Sequence, residues 1–167
     1  MSDILGLVVK VATKYKQYAG TDDWIYVGVF GKGGGGEFPI DFEHGDDFES
    51  GDKATYYLGE VWEGEAITTT YAIKLGTGLA TVTEPKKRYI DLELVDYVYV
   101  RKQSIKPRHE DDEWMLDSIE VSLYGAEPKK RVFHKTGDIW LENSNGLQVW
   151  LKEKFPVFLA TPLSGDL

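Results

Sequence analysis

WIYVGVF, residues 24–30, puts Ile25, Val27 and Val29 on one parity and Trp24, Tyr26 and Phe30 on the other. Side chains of a β-strand alternate between faces, so this segment has one side for a core and one side of rings. Turn-forming residues stop it at both ends, AGTDD (19–23) before it and the glycine-rich hairpin tip GKGGGGE (31–37) after it. A strand held between two such turns sets the reading of the rest of the chain.

The same pattern continues outward. Upstream, Leu5, Leu7, Val9 and Val11 alternate. Downstream, Phe38, Ile40 and Phe42 alternate in EFPIDF, an acidic turn EHGDDFESGD (43–52) follows, and a strand is predicted around Thr55 to Leu58. Ile67, Thr69, Tyr71, Ile73 and Leu75 read as another strand, with Thr77-Gly78 turning into LATVT. Ile90, Leu92, Leu94, Val98 and Val100 share one parity broken at Asp96, which predicts a bulge or two strands end to end. KPRHEDDEW (106–114) is a charged loop, and Ile119, Val121 and Leu123 mark the next strand. RVFH, DIWLE and LQVWL supply the last strands, with NSNG (143–146) as a turn. No long segment has a 3.6-residue period, and there is neither a repeat nor a linker-like stretch. The expectation is an all-β, antiparallel sandwich or barrel forming one domain over residues 1–167.

Composition narrows the function. The 167 residues are 42% hydrophobic and 28% charged, which suits a packed domain rather than a disordered one. A formal net charge of −9 repels phosphate backbones and argues against a nucleic-acid partner. The absence of cysteine excludes disulfides, thiolate metal sites and cysteine catalysis. The start MSDILGLVVKVAT lacks the basic-then-apolar pattern of a secretory signal, so the expectation is a cytoplasmic protein or one exported by another route. No apolar run approaches the roughly 20 residues of a membrane span.

Catalytic patterns are missing. His44, His109 and His134 fall on separate segments, no Gly-x-Ser-x-Gly elbow exists, and the glycines at 31–36 lack the Lys-Ser or Lys-Thr of a phosphate-binding loop. The expectation is a binding protein and not an enzyme. Acidic loops are the informative feature: Asp22 and Asp23, then Asp41, Asp46 and Asp47, then Glu110 through Glu113. Calcium takes six to eight oxygen ligands from carboxylates and loop carbonyls, and loops at one end of a sandwich can supply both. The alternative is a carbohydrate-binding sandwich in which Trp62, Trp114 and Trp150 form a stacking platform, against the plainer reading that they pack the core.

AGTDDWIYVGVF (19–30), EFPIDFEHGDDFESGDKATYYLG (37–59), YVYVRK (97–102), DDEWMLDSIEVSLYG (111–125) and DIWLE (138–142) together resemble the PLAT, or lipoxygenase-homology (LH2), family. They are most similar to the calcium-binding C-terminal domains of clostridial phospholipase C toxins. The resemblance implies a C2-like sandwich of about eight core strands with calcium loops at one end. It implies one calcium site at Thr21, Asp41, Phe42, Gly45 and Asp47, and a second at Gly20, Asp112 and Glu113. Trp24 would be the aromatic that meets a membrane or partner. The chain departs from the toxin pattern at Tyr18, where the toxins carry an aspartate, and residues 60–94 read as an inserted β segment. The implied function is a non-catalytic calcium-binding module that docks on a protein partner or a membrane surface.

Overall fold

The computed structural model describes residues 2–17, 19–21, 24–40, 49–63, 84–103, 113–142 and 146–155. Among them are nine strands and no α-helix. The strands are β1 (Gly6–Thr13), β2 (Trp24–Gly31), β3 (Gly34–Pro39), β4 (Lys53–Gly59), β5 (Val95–Gln103), β6 (Trp114–Tyr124), β7 (Lys130–Leu141), β8 (Gln148–Trp150) and β9 (Lys152–Glu153). They form a five-stranded sheet in the order β4-β1-β6-β7-β9 and a four-stranded sheet in the order β3-β2-β5-β8. Every pairing is antiparallel. The expected all-β antiparallel sandwich is the fold.

The core lies between the two sheets. Leu7, Val9, Val11, Ile119, Val121 and Leu123 of one sheet meet Ile25, Val27, Val29, Val98 and Val100 of the other in one buried cluster. These are the residues whose alternation marked them as inward-facing. Each such aliphatic side chain contributes about 1.5–3 kcal/mol by leaving water.

Three local departures from the alternation reading have physical reasons. Residues 90–94 are not a strand: two 3-10 turns, Pro85–Arg88 and Leu92–Leu94, lead into β5. The Asp91 side chain accepts the Glu93 N–H at 3.0 Å and starts the second turn. Ile90 and Leu92 still enter the core, but the turn carries Leu94 out to solvent. The break at Asp96 is the predicted bulge, because Phe30 faces Tyr97 and Gly31 faces Val95, which leaves Asp96 unpaired.

The glycine run is mostly strand, so the hairpin tip shrinks to Lys32 and Gly33 between β2 and β3. Finally, RVFH and DIWL belong to one strand, β7. Opposite Asp117 its register slips by a residue, and Gly137 takes φ +119° at the slip.

The end of the segment at 60–94 is tied into the sandwich. The Ile4 N–H donates to Ile90 O at 2.8 Å and the Leu92 N–H donates to Ser2 O at 2.7 Å. Arg131 clamps the same stretch, donating to Leu92 O at 2.8 Å and Val95 O at 3.0 Å while gripping both oxygens of Glu153. The strands read over Ile67–Leu75 and in LATVT lie outside the described residues, as does Phe42.

Candidate functional site at the loop end

Antiparallel registers bring the strand ends that border the acidic segments to one end of the sandwich. The start of β2 lies beside the end of β5 (Trp24 opposite Gln103), and the end of β3 joins them (Pro39 opposite Tyr26). In the other sheet the end of β1 meets the starts of β4 and β6, with Ala12 opposite Lys53 and Thr13 opposite Leu116. The connection between β1 and β2 is tied to β6 here by the Met115 N–H donating to Ala19 O at 2.9 Å. The described residues on either side of 22–23, and those next to 41–48 and 104–112, Thr21, Trp24, Ile40, Gln103 and Glu113, therefore all lie at this end.

Their anchor points are among the best-buried residues in the molecule. Ile40, just before Asp41, is wholly buried and donates its N–H to Ile25 O at 3.0 Å. Trp114, just after Glu113, is wholly buried and its indole N–H donates to Thr13 Oγ1 at 3.0 Å. Packed, hydrogen-bonded flanking residues of this kind are the rigid support that a cation site requires.

Of the residues singled out in the sequence, Thr21 is 3% exposed, Gly20 is half-buried and Glu113 is exposed, all at this end. Trp24 is 43% exposed at the start of β2. Asp41, Phe42, Gly45, Asp47 and Asp112 lie outside the described residues. Among the described residues no three His, Asp or Glu side chains are gathered. Thr21 and Glu113 carry the oxygen donors that suit a hard cation such as calcium.

Two residues at this end escaped the sequence reading. Tyr15 is 88% exposed in the turn after β1. That turn is sewn to the start of β4, since Ser50 Oγ accepts from the Lys16 N–H at 3.0 Å and donates to Lys16 O at 2.8 Å. Lys102 is buried, although lysine is rarely so. Its signal was its shared parity with Val98 and Val100, which sends it between the sheets. Lys14, on the surface nearby, bonds Asp138 at 3.0 Å, and this carboxylate with Asp117 raises the lysine's pKa.

The PLAT/LH2 domain family matches residues 7–152. The chain belongs to this family. Among solved structures, this PLAT chain resembles the alpha toxin of Clostridium absonum at 21% identity and a TM-score of 0.57. That match covers 90% of this chain and 32% of the toxin. The alpha toxin of Clostridium perfringens from an avian strain resembles it at 21% identity and a TM-score of 0.56, again over 90% and 32%. Coral 8R-lipoxygenase, described as activated by calcium via a C2-like domain, matches at 15% identity and a TM-score of 0.51. There 92% of this chain and 19% of the lipoxygenase are covered. The chain thus spans about a third of each toxin and a fifth of the lipoxygenase, and at these identities the likeness is one of fold. No curated protein matches the chain significantly.

The tryptophan platform considered from sequence does not form in the PLAT sandwich. Trp114 is core. Trp62 packs edge-on against Tyr124 at 5.3 Å, and Trp150 lies on the four-stranded sheet. Trp114 shares the parity of Leu116 and is drawn inward by the area it buries. His134, the histidine among the described residues, sits on β7 facing Glu120 of β6. No helix among the described residues is long and apolar enough to cross a membrane.

Proposed function

We propose that this PLAT chain is a non-catalytic docking module that binds calcium at its loop end. The observation that supports it is the convergence of Gly20-Thr21, the Ile40 anchor and the Trp114 anchor beside Glu113 at one end of the sandwich. One site takes oxygen donors from Thr21, Asp41, Phe42, Gly45 and Asp47, and the other from Gly20, Asp112 and Glu113. Both are sets of hard ligands on separate loops, which suits a flexible, many-oxygen calcium shell. The clostridial toxins and the calcium-activated coral lipoxygenase carry sandwiches of the same fold, which supports the cation assignment.

Trp24 and Tyr15 flank this end and are the contact side chains. Fully burying one aromatic contributes about 3 kcal/mol at most, so two of them hold a lipid surface only weakly. A protein partner, which can add a packed rim and hydrogen bonds, is the stronger target.

The test is thermal unfolding of the protein in millimolar calcium and in chelator. A ligand at about 100 times its dissociation constant adds roughly 2.7 kcal/mol to the folded state. The expected result is a melting temperature several degrees higher in calcium, with most of the shift lost in Asp47→Asn. Superimposable melts would overturn the calcium assignment. Co-sedimentation with zwitterionic and anionic liposomes checks the contact surface: weak binding, dependent on calcium and reduced by Trp24→Ala, is expected. Tight binding in chelator would move that surface elsewhere.

A further inference from the structure

The outer face of the four-stranded sheet carries a second group of side chains, away from the loop end. Phe30 of β2 stands opposite Tyr97 of β5, and Tyr99 of β5 opposite Trp150 of β8. The Phe30 and Tyr99 rings are parallel within 4°, with centroids 6.1 Å apart. Glycines in the neighbouring strands let them lie against the backbone. A Cβ on Gly28 would come within 2.1 Å of Tyr99 Cζ, and one on Gly35 within 2.0 Å of Phe30 Cδ1. Trp150 stands at 76° to the Tyr99 ring and at 61° to Tyr97. The outcome is a floor of flat rings with an upright one, and Phe30, Tyr97 and Trp150 are 39%, 58% and 55% exposed.

Three neighbouring rings held this far out in water mark a recognition surface, because an isolated exposed aromatic is ordinary but a contiguous patch is not.

The polar groups beside the rings are fixed in advance. Arg101 holds Glu37 with two bonds, Nε to Oε2 at 2.9 Å and Nη2 to Oε1 at 2.8 Å. The Tyr99 hydroxyl donates to the same carboxylate, and Arg101 also donates to Gln103 at 2.8 Å. Glu37 and Arg101 neutralise each other, on a chain whose net charge is −9. An anionic ligand meets no free cation at this pair, and a cationic ligand meets no free carboxylate. What fits is an uncharged molecule with apolar ring faces to stack and hydroxyl edges that use the remaining lone pairs and N–H groups.

We propose that this face binds a neutral glycan chain, with Phe30, Tyr97 and Trp150 stacking on sugar rings and the Glu37–Arg101 pair bonding their hydroxyls. This site is separate from the calcium end and does not depend on it. The proposal is tested by native affinity electrophoresis of the full chain through gels containing hydroxyethylcellulose, arabinoxylan, galactomannan or glycogen, each in calcium and in chelator. Retardation by at least one polymer, equal with and without calcium, is the expected result. Trp150→Ala and Tyr97→Ala should each weaken it roughly tenfold, as loss of an aromatic anchor does. Both side chains are more than half exposed, so the variants should fold, with circular dichroism as the check. No retardation in any gel would overturn the proposal, as would retardation unchanged in the double variant. Concentration-dependent self-association abolished by Trp150→Ala, without glycan binding, would reassign the face to a second copy of the chain. Because the decisive gels contain chelator, a failed calcium assignment leaves their result intact.

Discussion

Outward from the five-stranded sheet point Lys10, Thr55, Ser118, Glu120, His134 and Thr136, along a groove of about 530 Å³. Outward from the four-stranded sheet point Tyr26, Phe30, Tyr97, Tyr99 and Trp150 around one ion pair. Inward, the two sheets are alike, lined by Val, Ile and Leu. The shared inner faces make the sandwich, and the unlike outer faces separate what the molecule can touch. One is a polar groove in which Lys10, Glu120 and His134 stand among hydroxyl side chains. The other is aromatic and internally neutralised, and it has its own bracing in the Glu37–Arg101 pair and in Arg101 lying 4.3 Å over the Tyr26 ring.

Trp114 and Trp150 give the comparison its widest test. Trp114→Ala empties a fully buried site and orphans Thr13 Oγ1, so it should cost about 3–5 kcal/mol in urea unfolding. A loss under about 1 kcal/mol would mean that the inner faces are less tightly packed than their burial indicates.

Glu37→Gln is the next largest effect. Its carboxyl is held below the usual carboxylate range chiefly by the Arg101 hydrogen bond, with the Tyr99 hydroxyl helping and burial opposing. A depressed carboxylate stabilises the fold above its unfolded pKa, and that stability is lost as pH falls through the folded value. The variant should therefore be about 1–2 kcal/mol less stable near neutrality, and its melting curve should converge on the wild type's in acid. A gap independent of pH would show that the pair braces the face by shape and not by charge. Tyr99 itself is pushed well up by burial and by Glu37, so it stays a neutral donor throughout this range.

Trp150→Ala should cost only about 1 kcal/mol, since roughly half of the ring is already in water. Set beside Trp114, it separates a tryptophan kept for packing from one available for contact. The smallest change is expected on the polar face: His134→Ala should move the stability by no more than about 0.5 kcal/mol in the same assay. A larger shift would give the groove a structural role and weaken the contrast between the two faces.

Which side chains lie inside was legible from the sequence, because alternation is a local property. Ile25, Val27 and Val29, or Ile119, Val121 and Leu123, declare one face without any knowledge of their neighbours. The bulge at Asp96 was legible for the same reason, as was the oxygen-rich character of the acidic loops. Local rules failed where the backbone left the extended state. The turn at Leu92–Leu94 exposed Leu94, and the slip at Gly137 joined two expected strands into one. Even Trp150 carried a signal, since Leu147, Val149 and Leu151 share the opposite parity and leave it facing out. Its partners did not. A period of two assigns a face but never a neighbour, and register is set by contacts between residues far apart in the chain. Only the tertiary structure brings Phe30, Tyr97, Tyr99 and Trp150 onto one surface, seats glycines beneath two of the rings, and closes Arg101 on Glu37. It likewise decides that Trp114 is core and that Gly20, Thr21 and Glu113 share one end, because strand order, and not sequence distance, determines which loops meet.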